Sequence, residues 1–223
     1  MNYKVPTNDI TFLLKNVVDY HLLEKTERFK DVNIEITKTI LKEAAKMAEE
    51  KINPLQRVGD QQPGHLENGV VRTSPGFSNG YKAIANGGWI GVAAGSKYGG
   101  MGLPLTVQNC VNEMLNSACL SLALNPLMTQ GQIEALEHHA NDEIKSIYLP
   151  KLITGEWSGT MNLTEPQAGS DVGALSTKAI KNNDGTYSIT GQKIYISWAD
   201  NDFTSNVCHL VLARLPNSAP GTK

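Results

Sequence analysis

The stretch TEPQAGSD at 164–171 sets two hydroxyls, Thr164 and Ser170, around the small residues Ala168 and Gly169. Small side chains let a ligand come close to the backbone, where N–H groups can donate to a phosphate or a ring oxygen, and the hydroxyls add further donors. An anion or a heteroaromatic edge would suit such a loop. The same composition also describes a plain polar connection between strands, turned by Glu165-Pro166, so composition alone leaves both readings open. Other reactive residue types give no competing chemistry. His65, His138-His139 and His209 lack partners at metal-ligand spacing, so surface or packing roles are expected for them and no metal site is expected. Cys110, Cys119 and Cys208 sit in apolar surroundings without CxxC or Cys/His spacing, which reads as buried thiols in a reducing compartment.

The elements that must position this loop fall into two parts. Up to about residue 151 the apolar spacing is helical. Asn8 or Asp9 can cap a helix carrying Ile10, Leu13, Leu14, Val17 and Val18 on one face. A second helix presents Ile36, Ile40, Leu41, Ala44, Met47 and Ala48, and Pro54 should stop it. A long turn-rich connection then leads to a short helix over 75–86, with Ser74 as its cap. Glycines at 95–102 interrupt the chain before helices at 105–124, 127–140 and 142–152, the last capped by Asn141 or Asp142. Beyond residue 157 the period becomes two. ALSTKAI, TYSITGQ, KIYIS and NVCHLVLARL read as short strands, and Asp184-Gly185 marks a hairpin because both central residues of such a turn need positive φ.

The expected fold class is therefore α+β, an all-α helical domain over 1–157 followed over 158–223 by the first part of an antiparallel β-barrel or sandwich domain. Lys and Arg number 20 against 22 Asp and Glu, a net charge of −2 without basic runs, so no nucleic-acid partner and no membrane surface is expected. Asp9, Lys15 and Asp19 interrupt the apolar residues of the N-terminal segment, which fits neither a secretory signal nor a membrane span and suggests a cytoplasmic protein.

LTEPQAGSDVGALSTKA resembles the signature of the acyl-CoA dehydrogenase family, and YGGMGLP at 98–104, YLPKLITGEWSGTMNLTEP from 148, GQKIYIS at 191–197 and HLVLARL from 209 follow in the family's order. A chance match would have to reproduce that order as well as the words. YKVPTNDITFLLKNVVDY and NPLQRVGDQQPGHLENGVVRTSPGF look like the longer subfamily that includes 3-methylmercaptopropionyl-CoA dehydrogenases. The resemblance implies an FAD-dependent oxidoreductase that introduces an α,β double bond into an acyl-CoA. It also implies electron-transfer flavoprotein as the acceptor and a homo-oligomeric intact enzyme.

By the same resemblance Met161, Leu163, Thr164, Gly169 and Ser170 line the flavin and its pyrophosphate, and Ser170 also approaches the acyl-CoA. Tyr195 stands where the family usually has Trp against the flavin ring. Ser197 stands where a hydroxyl reaches flavin N5, with Ile196 between them. Tyr for Trp is a departure that keeps an aromatic face. Taken alone, Tyr195 and Ser197 also read as half-buried strand positions. No catalytic residue is expected within 1–223: Glu165 supports the loop in the family, and the base belongs to a C-terminal helical bundle absent from this sequence, so the chain by itself is expected to be inactive. Two other readings remain, a DNA-associated flavoprotein of the same fold and a noncatalytic helical interaction module.

Overall fold

The computed structural model describes residues 3–221. Its helical part consists of α1 (Thr7–Asn16), α2 (His21–Glu24), α3 (Ile34–Met47), α4 (Asn53–Gln61), α5 (Phe77–Asn86), α6 (Leu105–His139) and α7 (Asp142–Ile153). Asn33 starts α3 by accepting hydrogen bonds from the N–H groups of Glu35 and Ile36, and Asn141 starts α7 by accepting from Ile144. Between α3 and α4 the chain does not stop at Pro54. A π-helical turn over Ala48–Ile52 absorbs the register change, and the proline, which cannot donate a backbone hydrogen bond, occupies the first turn of α4. The buried row runs through that turn. Leu41, Ala44, Ala48 and Ile52 are buried, while Ile36, expected in the core, is 44% exposed. On α1 only Ile10 and Leu14 are buried, and Leu13, Val17 and Val18 face outward. That helix is capped by neither Asn8 nor Asp9 but follows Pro6, and α5 begins after Gly76 rather than at Pro75.

The centre of the helical part is α6. Its first arm buries Val107, Val111, Met114, Leu115 and Ala118 against the rows of α3 and α5. The break falls at Cys119, where φ −160° and ψ 90° interrupt the helical path, and not at the expected Asn125-Pro126. Pro126 lies inside the second arm, where it costs one backbone hydrogen bond without ending the helix.

A short antiparallel hairpin, β1 (His65–Glu67) and β2 (Val70–Arg72), occupies the stretch expected to be a turn-rich connection. Asn68 and Gly69, at φ 51° and 80°, form its two-residue turn. The β part holds β3 (Trp157–Asn162), β4 (Lys178–Lys181), β5 (Tyr187–Thr190) and β6 (Asn206–Val211). β4 and β5 form the expected antiparallel hairpin, with Gly185 at φ 87° and Asp184 Oδ1 accepting from the Thr186 N–H. β3 and β6, however, pair in parallel, from Trp157 opposite Asn206 to Asn162 opposite Val211. A parallel pair requires a long crossover, and residues 163–205 supply it, so the strand sequence alone could not fix the direction. The two-stranded ladders do not close into a barrel among the described residues.

β3 lies on the second arm of α6. The Gly159 N–H donates to Thr129 Oγ1 at 2.9 Å, and Gln132 Nε2 reaches Cys208 Sγ on β6 at 3.0 Å. Tyr81 adds its hydroxyl bond to the Gly155 carbonyl and a ring contact with Phe203 at 4.7 Å between centroids. The loop that leaves β3 is thus carried by a packed support.

Candidate functional site

Residues 163–170 leave β3 from a fixed strand end. Thr160 Oγ1 lies 2.6 Å from Asn162 Oδ1 and 2.7 Å from His209 Nδ1, which ties the ends of β3 and β6 together. Behind the loop sits Glu165, only 2% exposed and the one buried carboxylate among the described residues. Its oxygens accept from Lys193 Nζ at 2.9 Å, the Ser176 N–H at 2.6 Å, Ser176 Oγ at 2.8 Å, the Thr177 N–H at 3.0 Å and Gln167 Nε2 at 2.7 Å. A buried charge needs such a set of donors. Burial by itself would raise the Glu165 carboxyl, but Lys193 and the donors on Thr177 and Ser176 outweigh it and hold the group far below the usual carboxylate range.

Lys193 joins two segments that lie far apart in sequence. Besides the Glu165 pair, whose side chains are 1% and 9% exposed, its ammonium donates to the Leu163 carbonyl at 2.9 Å. The Ile194 N–H donates to the Thr164 carbonyl at 3.0 Å. These bonds bring residues 163–165 and 193–194 edge to edge on one side of the sheet. Sequence reading missed Lys193, since a single Lys in an alternating stretch looks like a solvated strand position. Its signal was the acidic Glu165 among the neutral residues 163–170.

The front of the loop is different. Among the described residues, Thr164 Oγ1, Ser170 Oγ and Ser197 Oγ take part in no hydrogen bond with the rest of the chain, and neither do the Gly169 and Ser170 N–H groups. Gly169 has no positive φ, and a Cβ built there would meet nothing nearer than Thr164 Cγ2 at 3.8 Å. Neither packing nor backbone conformation within this chain demands glycine there, so the free space in front of it is open to a ligand. The loop is thus fixed through Glu165 while these hydroxyls and N–H groups have no partner among the described residues, which suits a phosphate or a heteroaromatic edge.

The remaining expected residues are placed less uniformly. Met161 is half-buried in β3 opposite Leu210 of β6, and Leu163 is partly exposed. Residues 193–197, expected as a strand, form none. Tyr195 and Trp198 take φ of 57° and 55°, and a turn from Ile196 to Ala199 folds the segment back. The inward pull of Lys193 and the anchoring of Trp198 override the alternating pattern. The Tyr195 ring is 91% exposed, beside the exposed Ser197. Ile196 points the other way, into a cavity of about 460 Å³ that it shares with Phe77, Ser121 and Trp198. No group of His, Cys, Asp and Glu among the described residues could hold a metal ion, and none of the described helices is long and apolar enough to cross a membrane.

Comparison with known proteins adds an independent line. The profile of the acyl-CoA dehydrogenase N-terminal domain matches residues 35–156, and that of the acyl-CoA dehydrogenase middle domain matches 160–222. The 3-methylmercaptopropionyl-CoA dehydrogenase of Ruegeria pomeroyi is 40% identical over 223 residues, covering 100% of this chain and 38% of that protein. A butyryl-CoA dehydrogenase of Syntrophomonas wolfei is 34% identical over 99% of this chain and 37% of its own length. The chain therefore spans well under half the length of these relatives. Among solved structures, butyryl-CoA dehydrogenase from Megasphaera elsdenii superposes with a TM-score of 0.61 at 25% identity, covering 73% of this chain and 41% of that one. An acyl-CoA dehydrogenase from Bacillus anthracis complexed with FAD gives a TM-score of 0.67 at 25% identity, covering 83% and 30%.

Proposed function

The chain belongs to the acyl-CoA dehydrogenase family, and on that premise we propose that it furnishes the flavin-facing part of an FAD-dependent enzyme that introduces a double bond between Cα and Cβ of an acyl-CoA thioester. The observation that carries this reading is the contrast within one loop: both carboxylate oxygens of Glu165 are bound, while the Gly169 and Ser170 N–H groups and the Thr164 and Ser170 hydroxyls have no partner among the described residues. The residues fit the cofactor. Thr164 and the Leu163 backbone would meet the isoalloxazine edge, the Gly169 and Ser170 N–H groups and the Ser170 hydroxyl would hold the pyrophosphate, and Tyr195 and Ser197 would flank the ring. Met161 and the Ile196 backbone complete the lining, and Ser170 would also approach the acyl-CoA. When bound, FAD supplies the acceptor for the hydride that leaves the β-carbon.

Residues of this chain bind and orient, and none of them takes the α-proton. Glu165 is held ionised by Lys193 behind the loop, and a carboxylate so far below its ordinary range is a poor proton acceptor. We place the helical domain at 1–157 and the partial β domain at 158–223, and assign α-proton removal to a base outside these residues. The relatives with printed acyl-CoA dehydrogenase activities support acyl-CoA as substrate, and the Ruegeria protein supports a short, sulfur-containing acyl group. Electron-transfer flavoprotein as the electron acceptor and a homo-oligomeric enzyme complete the reading.

The test uses the 223-residue chain, purified and mixed with FAD, butyryl-CoA and an artificial electron acceptor. The expected result is retained flavin absorbance without turnover. Loss of all flavin on desalting would contradict the cofactor assignment, and turnover would contradict the assignment of the base.

A further inference from the structure

We propose that Trp198 is a positioning residue that presents the Tyr195–Ser197 rung to the flavin by anchoring it to the break in α6; this rests on the reading given above. The Trp198 backbone is left-handed at φ 55°, third in the turn closed by the Ala199 N–H and the Ile196 carbonyl at 3.4 Å. Positive φ at that position of a turn favours Gly or Asn, and a bulky aromatic there is costly unless surrounding contacts hold it in place. The indole supplies such contacts. Its Nε1–H donates to the Ser121 carbonyl at 2.9 Å, two residues past the Cys119 break, and its ring lies 6.2 Å from Phe77 and 5.5 Å from Phe203 between centroids. Phe203 in turn rests on Tyr81. One side chain thus bridges the helical and β parts from the base of a strained turn.

The far end of the segment is held separately. Asn201, 8% exposed, accepts from the Phe203 and Thr204 N–H groups and donates to Ser158 Oγ at 3.1 Å, which secures residues 201–204 to β3. Lys193 and Ile194 secure the near end to the 163–165 loop. Between these two attachments Trp198 makes the one side-chain hydrogen bond from residues 195–199 to the helical part among the described residues. Tyr195, itself 91% exposed, has no packing of its own to fix its direction. The orientation of the rung is therefore set from Trp198. Preorganisation of this kind lowers the ordering cost of binding without contact between Trp198 and the ligand.

The experiment compares the wild-type full chain with Trp198→Ala and Trp198→Phe, using free FAD as the probe and amide hydrogen exchange of each flavin-free protein as a second readout. In Trp198→Ala, exchange over 194–199 should accelerate while β3 and β6 keep their protection, and the Kd for FAD should rise about tenfold or more. Trp198→Phe keeps the ring contacts but loses the N–H donor, and should fall between the two. Unchanged exchange over 194–199, or an unchanged FAD affinity alongside faster exchange, overturns the positioning role. If Trp198→Ala fails to fold, the same criteria are read from Trp198→Phe. A wild-type chain that binds no FAD would overturn the cofactor reading itself, and would do so whatever the variants show.

Discussion

Glu165 and Lys193 are the pair on which the loop's shape depends, because they meet largely shielded from solvent and share their remaining bonds with Ser176, Thr177 and the Leu163 carbonyl. A Lys193→Met substitution leaves a buried carboxylate without its counter-charge and should destabilise the fold by about 3–5 kcal/mol, whereas Glu165→Gln combined with Lys193→Met should cost clearly less. Chemical denaturation of the single and double variants checks this. The pair also sets a pH dependence. The folded carboxyl titrates below its unfolded counterpart, near the usual glutamate value of about 4.3, so its stabilisation is full above that value and is lost as pH falls toward the depressed folded value. Wild type should lose stability below about pH 5 more steeply than Glu165→Gln. Equal acid slopes would remove the pair from the account. At this scale the sequence was legible where chemistry is local: the small residues and hydroxyls of 164–170 are visible as a string. Lys193 was not, because its meaning comes from a partner 28 residues away.

Among the elements, local signals were dependable and long-range ones were not. Asn141 reads as the cap of α7 and acts as one, and the hairpin read from Asp184-Gly185 forms, although of the two only Gly185 takes positive φ. Asn68-Gly69 carried the same signal for the β1–β2 hairpin, but it lay within a stretch rich in other turn residues and was passed over. The π-helical turn at Ala48–Ile52, the break at Cys119 and the parallel pairing of β3 with β6 have no local signature. Each is decided by what the element packs against. Asn33 is a simple case of a local device with a measurable effect: it accepts from two N–H groups at the start of α3, so Asn33→Ala should cost about 1 kcal/mol in thermal or chemical unfolding. A neutral result would show that α3 is held by its buried face alone.

For the molecule as a whole, the helical part serves as a platform. α6 supports β3 through Thr129 and β6 through Gln132, β3 delivers the 163–170 loop, and the crossover returns residues 193–198 to the same edge before β6 closes the pair. The ordered family motifs named the architecture, while the adjacency of loop and rung became readable only through the Thr164–Ile194 and Glu165–Lys193 bonds. Flavin binding here depends on these two joined segments facing one common ligand. Its most direct test is a titration of the isotopically labelled chain with FAD, followed by the backbone amide resonances. Shifts concentrated at 163–170 and 194–198, with Gly169 and Ser170 among the largest, are the expected result. Saturable shifts confined instead to the cavity of about 350 Å³ between Arg28 and His138, or no shifts at all, would contradict it.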